Sequence, residues 1–425
     1  MRAGFAEIEI TPPLGTQVAG WIKPILATEI LDPLHVRAAV FESGGVRLGI
    51  VSMDTTRVTW QLVAELRAAV EARHGIPGDH LLVAATHNHA GPVLQQAFEL
   101  TPDPAYLVEF RRKLGAVVGA AVADLAPCEW GFASRAEFRF ARNRRVRMRD
   151  GTVKTHGRFS DPEALCYDGP IDPELAVLAF RAPGGALRGA LVNYACHPTD
   201  HGHGGKFSSG WPGAMARELK PRGVPVALFL NGAAGNIATP DPERDSRCVP
   251  PGEIGRILAD DVEDLLAKMA WRADAALAAR TKTVELEFRR PSAAEISGSS
   301  RGTQRFIDPK LYDARIPAIL EEMRRKGVQP AQIQAFDLDE LTLAAIPAEY
   351  FVELGLHIKE RAHPRRALVI GYANGMLGYV GHRDAYARGG YEVTFPGSRL
   401  APGSGERLAE AALELIAAAQ HAPVG

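Results

Sequence analysis

The chain has 425 residues, 46% of them hydrophobic and 23% charged, with 49 Lys and Arg set against 50 Asp and Glu for a formal net charge of −1. That balance leaves no electrostatic footprint for nucleic acid or an anionic membrane, and no run of about 18 apolar residues exists to span a bilayer. The four cysteines, Cys128, Cys166, Cys196 and Cys248, lack C-x-x-C spacing and read as buried thiols of a reducing compartment. Residues 1–10 carry no secretory h-region, so the expected location is cytoplasmic.

Residues 3–10 alternate as a strand and stop at the rigid turn Thr11-Pro-Pro-Leu-Gly15. Residues 36–41 and 46–53 form a hairpin about Glu42-Ser-Gly-Gly45, and the second strand ends in Asp54. Residues 60–74 have the spacing of an amphipathic helix, 76–79 lead into an apolar strand from Leu81, and 107–125 form a second long helix. This order of strands and helices predicts a layered α/β domain. The run from Leu81 closes on Ala90-Gly-Pro92, which cannot extend a strand, with Thr86, His87, Asn88 and His89 in between. Side chains at i and i+2 of a strand share a face, so His87 and His89 are expected to point the same way. Such a pair suits a metal or its activated water, and equally a hydrogen-bonded pair at a sheet edge.

Polar strands follow over residues 129–140, then the arginines Arg142, Arg144, Arg145 and Arg147, which as a cluster read first as a solvated face. Asp161, Asp168 and Asp172 lie on a loop. A second hairpin, 175–181 with 187–194, turns at Pro183-Gly-Gly185 and runs into Ala195-Cys-His-Pro-Thr199, so a buried strand again ends in a histidine, His197. Asp200, His201 and His203 come next, and residues 202–209 are where a lid is expected. Trp211-Pro-Gly213 starts a helix. The strand 224–230 ends in Asn231-Gly-Ala-Ala-Gly-Asn236, a turn expected to expose N–H groups as an oxyanion nest and lacking the lysine of a phosphate loop. Residues 254–279 read as one long helix, and 281–335 as strand, loop and charged helix. The strand 341–346 leads through Pro347 and Ala348 to Glu349, followed by a helix over 351–361. A strand over 367–372 ends in Ala373-Asn-Gly375, and a helix over 405–419 closes the chain. No internal repeat and no linker is apparent. The expectation is a single domain over 1–425, with a sub-lobe or insertion within 238–335.

Strands therefore end in polar residues before tight turns at His87/His89, His197, Asn231 and Glu349, and a fifth reaches Asn374 and Tyr379. Two histidines and a glutamate with an open position are the ligand set of a catalytic zinc site. A carboxylate buried among imidazoles is costly without a cation.

Several motifs in one order, spanning nearly the whole chain, resemble the catalytic domain of the neutral, non-lysosomal ceramidase family. They are Ile10-Thr-Pro-Pro13, Ala85-Thr-His-Asn-His-Ala-Gly-Pro92, Asn143-Arg144, Asn193-Tyr-Ala-Cys-His-Pro198 and Trp211-Pro-Gly213. The series continues with Asn231-Gly-Ala-Ala-Gly-Asn236, Ile346-Pro-Ala-Glu349, Asn374 with Gly378-Tyr379, and Gly390-Tyr-Glu392. The resemblance implies layered mixed β-sheets with flanking helices. It further implies Zn2+ held by His87, His197, Glu349 and the phenol of Tyr379. By the same resemblance His89 lies beside the activated water or substrate oxygen, Arg144 supports the site, and Tyr391 hydrogen-bonds the oxyanion.

Two departures stand out: Ala238 takes the place of a serine once proposed as nucleophile in that family, which favours a zinc–water mechanism, and Gly210 takes the place of an aspartate. The chain also ends soon after Tyr391, before the immunoglobulin-like domain that the resemblance would add. The expected activity is hydrolysis of a C–N bond in an N-acyl or other small amide. Alternatives are a zinc esterase, lactonase or carbamate hydrolase on the same site, and a silent binding protein of the same fold. The expected partner is a small-molecule amide or ester, with no nucleic acid and no stable membrane insertion. A homo-oligomer is compatible with all of this.

Overall fold

The computed structural model describes residues 1–201, 204–239, 249–306 and 308–420. His203 and Cys248 lie outside the described residues. Three larger sheets carry the architecture. The first runs Leu81–Ala85, Val46–Met53, His35–Ser43, Arg2–Glu9 and Ala126–Pro127 in spatial order. The second runs Ala227–Asn231, Leu187–Tyr194, Glu174–Arg181 and Glu129–Ala136. The third runs Leu277–Glu287, Val328–Leu338, Leu341–Ala345 and Arg366–Ile370.

These sheets are three copies of one plan, although no repeat is apparent in the sequence. Each has three antiparallel strands, then a helix (Trp60–His74, Gly210–Leu219 or Val352–Arg361), then a strand added parallel to the third. A second helix follows in each: Pro104–Ala123, Pro251–Ala267 and Ser404–Gln420. A helical crossover is what a parallel pair requires. The repeat is hidden because it resides in backbone order and burial, which many different apolar residues satisfy equally well.

Local chemistry sets the element ends. In Trp60–His74 the Thr59 hydroxyl accepts from the Leu62 amide at 3.1 Å, and Gly75 at φ 65° supplies the left-handed stop. Leu62, Val63, Leu66 and Val70 form its buried face, each such burial being worth about 1.5–3 kcal/mol. The helix expected over 254–279 ends instead at Ala267. Beyond it the chain folds back, with Arg272 and Trp130 exchanging backbone hydrogen bonds at 2.8 Å, and Leu277 opens a strand. A partner distant in sequence overrides the helical pattern. Cys128 and Cys196 are buried, but Cys166 is exposed on the short strand Ala164–Tyr167, against the expectation of buried thiols throughout.

The C-terminal ends of the three parallel strands meet and interlock. The Ala85 amide donates to the Tyr372 carbonyl at 3.1 Å, and the Gly371 amide to the Asn231 carbonyl at 2.9 Å. The Asn231 side-chain amide closes the ring by donating to the Thr86 carbonyl at 3.1 Å. Each copy also has an insertion between its first and second strands, residues 10–34, 137–173 and 288–327. All three contribute to the region described next. No described helix is long and apolar enough to cross a membrane.

Candidate metal centre

His87 does not sit in a strand. The strand ends at Ala85, and His87 takes φ 67°, a left-handed conformation rare for a residue other than glycine and common where side chains are aimed for function. The i, i+2 argument for its agreement with His89 therefore fails, yet the two rings do converge. Their Nε2 atoms lie 3.1 Å apart, because the chain turns through Asn88, whose amide donates to the Thr55 carbonyl. Gly20, at φ 99°, backs directly onto His89, where a Cβ would come within 2.4 Å of the His89 carbonyl oxygen.

His197 arrives from the second copy, three residues past the strand Leu187–Tyr194, and its Nε2 lies 3.0 Å from that of His87. Glu349 arrives from the third copy. It pairs in parallel with Tyr379, and its Oε2 is 3.3 Å from His87 Nε2 and 3.4 Å from His197 Nε2.

Each histidine has its second ring nitrogen against a backbone carbonyl: His87 Nδ1 at 2.6 Å from Thr56, His197 Nδ1 at 2.6 Å from Ala234, and His89 Nδ1 at 3.1 Å from Gly20. A carbonyl only accepts, so in the neutral rings the hydrogen is assigned to Nδ1 and the lone pair to Nε2. Three lone pairs thus point at one another, and their ligand atoms all lie within 4.8 Å. Glu349 Oε2 is buried and accepts no hydrogen bond. Lone pairs and an anionic oxygen gathered without a proton donor fit a cation, and carbonyl-anchored imidazoles are the usual outer support of a metal ligand. Burial, reinforced by the charge on Arg144 and the neighbouring His87, pulls the His197 pKa down to about 4. Burial likewise holds His89 well below its usual range.

Around this cluster, the Tyr372 ring stacks on His87 with centroids 4.0 Å apart, a support that strand periodicity did not single out. Tyr379 and Tyr391 are partly exposed and meet edge to face at 5.7 Å. The Arg144 guanidinium lies 5.5 Å from the Tyr379 ring centroid and donates to the Gly235 carbonyl at 2.7 Å and to Glu392 at 2.8 Å. The arginine cluster is therefore no solvated face: Arg144 and Arg145 are buried, and Arg145 and Arg147 pair with Asp168.

Asn231 is brought to the centre but not to its open side. Its amide spans the Thr86 and Cys196 carbonyls, both at 3.1 Å, so it ties the two histidine-bearing turns together. Within the turn expected to form an oxyanion nest, the Gly232 and Gly235 amides are taken by the Tyr194 and Tyr350 carbonyls.

Ala238 is buried beside His197 and offers no nucleophile. Gly210, at φ 60°, faces Asp200, whose Oδ2 would lie 3.2 Å from an added Cβ and accepts from the Trp211 amide at 3.2 Å. A carboxyl is thus present next to position 210 from elsewhere in the chain, and burial pushes it up to about 7. In the stretch expected to be a lid, Lys206–Phe207 pairs with Glu29–Ile30, and Ser208 and Ser209 are buried.

The three-sheet α/β fold is the fold of the neutral ceramidases. The crystal structure of neutral ceramidase from Pseudomonas aeruginosa superposes with a TM-score of 0.76 at 20% identity, over all of this chain and 75% of that one. A ceramidase complexed with C2 gives a TM-score of 0.74 at 19% identity, over all of this chain and 76% of that one. In sequence, the Pseudomonas aeruginosa neutral ceramidase is 23% identical over 434 residues, 84% of this chain, and the chain spans 62% of that relative's length. No protein-family model matches the chain.

Proposed function

We propose that this protein is a metal-dependent hydrolase that cleaves the C–N bond of an N-acyl or other small amide. The observation that carries the reading is the convergence of three imidazole lone pairs, two of them within 3.4 Å of the unpartnered oxygen of Glu349. The likeness to neutral ceramidases supports the amide as the bond attacked.

His87, His197 and Glu349, with the phenol of Tyr379, would hold Zn2+, the ion that His/His/Glu sets with an open position favour. When bound, it polarises the carbonyl and lowers the pKa of a water toward about 7. The protein's own groups do the remaining work. His89, the one partly exposed histidine of the three, keeps Nδ1–H on the Gly20 carbonyl and so presents Nε2 to accept a proton from the attacking water. It then returns that proton to the departing amine. The Tyr391 hydroxyl, which burial keeps protonated well beyond neutral pH, donates to the developing oxyanion, an interaction worth roughly 2–4 kcal/mol. Arg144, anchored by Glu392, orients Tyr379. Asn231 positions both histidine turns and does not touch substrate.

The test is a panel of N-acyl amides and matched esters, run on protein of known metal content. Hydrolysis of amides that disappears on chelation and returns with zinc is the expected result. Full activity in the chelated protein would overturn the reading.

A further inference from the structure

The insertions of the second and third copies meet beside the metal centre and leave a cavity of about 320 Å3 between them. Its walls include Lys154, His156, Arg158 and Ser160 from the second insertion, and Gln304 and Phe306 from the third. The two insertions are clamped there. Gln304 accepts from the Thr155 amide at 2.7 Å and donates to the Thr155 carbonyl at 3.0 Å.

The cavity is joined to the reaction centre on two sides. The His156 amide donates to the Arg144 carbonyl at 2.6 Å, with His156 held at φ 54°. The Phe306 ring packs on Tyr391 at 4.8 Å, and Tyr391 packs on Tyr379. Phe306 therefore forms a wall shared between the cavity and the tyrosines.

Its charge is lopsided. Lys154 is balanced by Asp161 at 3.4 Å. Arg158 is exposed and makes no ion pair among the described residues. Around it stand a hydroxyl (Ser160) and an imidazole (His156), while the Asp161 carboxylate on the same wall is taken up by Lys154. The arginines nearer the centre are different, since Arg144, Arg145 and Arg147 are consumed by Glu392 and Asp168. A guanidinium left unpaired in a polar recess is a planar fork matched to a carboxylate or a phosphate.

We propose that this cavity is a subsite for an anionic group carried by the substrate away from the scissile bond, with Arg158 as its specificity-determining residue. The substrate class is then an acidic amide, such as an N-acylated acidic amino acid or an acylated phosphoamine. This rests on the amide-hydrolase reading, which names the bond, while the cavity names what hangs from it.

The test compares kcat/KM of the zinc-loaded protein for three amides with one acyl chain: an N-acyl glutamate, an N-acyl phosphoethanolamine and a neutral N-acyl isobutylamine. At least one anionic amide is expected to exceed the neutral one by about fivefold, as one exposed charge pair allows. In Arg158→Glu that ratio is expected to fall to about one, through KM, with Arg158→Gln in between. Which anion leads distinguishes carboxylate from phosphate. In parallel, calorimetry on metal-free protein reads binding of the same N-acyl glutamate and N-acyl phosphoethanolamine, which should weaken severalfold in Arg158→Glu. Equal use of all three amides by the wild type, or a preference that survives Arg158→Glu, overturns the subsite. If no amide is cleaved yet binding of either anion still depends on Arg158, the hydrolase reading fails and the subsite stands.

Discussion

Two glutamates, both buried within the same region, have opposite surroundings. Glu392 accepts from Arg144 at 2.8 Å, from Arg145 at 3.0 Å and from the Thr155 hydroxyl at 2.6 Å. Glu349 presents Oε2 to two histidine nitrogens that carry lone pairs, and no described residue donates to it. The first carboxylate is satisfied by the chain and belongs to the framework. The second is complete only with a ligand. Burial by itself does not separate these roles, whereas the account of donors and acceptors does.

The sharpest way to break the contrast is to remove a ligand on one side of it. His197→Ala or Glu349→Gln should lower amide hydrolysis by about 10^3-fold or more, with metal content by elemental analysis falling in step. Thermal stability of the metal-free protein should change little in Glu349→Gln, since that oxygen has no donor to lose. Glu392→Ala should do the reverse. It strands two buried guanidinium groups and should cost about 3–5 kcal/mol in chemical denaturation, as breaking a buried pair does.

Tyr391→Phe refines the boundary between them. It should lower kcat by about 10^2-fold through loss of one oxyanion donor while leaving metal content intact. Unchanged kcat would remove Tyr391 from the chemistry.

Acid titration probes the Glu392 pairing further. Burial opposes the charge on Glu392, but Arg144 and Arg145 prevail and bring its pKa to about 2 from 4.5. A depressed folded-state value means stabilisation that is present above the unfolded value and is lost as pH falls through the folded one. Of order 3 kcal/mol should therefore disappear between pH 4.5 and about 2 in the wild type, and that loss should be absent in Glu392→Gln. The smallest effect is a control outside both clusters. Asp103→Ala removes the cap on the Tyr106 amide and should cost about 1 kcal/mol without touching metal or kcat.

How much of this was legible in the sequence depended on how far each cause reached along the chain. The helix at 60–74 was readable to the residue, because its cap, its apolar face and its glycine stop are all local. The proposed ligand residues themselves were visible as polar ends of apolar strands. The geometry that unites His87 and His89 was not, since it comes from a left-handed turn beyond the strand and not from strand alternation. Asn231 was singled out as the polar end of a strand, but not for tying the two histidine-bearing turns together. Its amide faces backbone from another copy of the repeat, which no local pattern encodes. Glu392 stood in a quoted motif without a role because its partner Arg144 is 248 residues away. The threefold plan of the fold was invisible for the same reason that cores tolerate substitution: each copy needs only the order of its elements and the burial of their faces.

The most direct test of the central claim is metal stoichiometry at neutral pH, measured on chelated protein titrated with zinc and compared with His87→Ala. One ion per chain, bound with micromolar or tighter affinity and weakened at least tenfold in the variant, is the predicted result. A wild-type chain that binds no divalent ion, or binds it equally well without the His87 imidazole, would contradict the account.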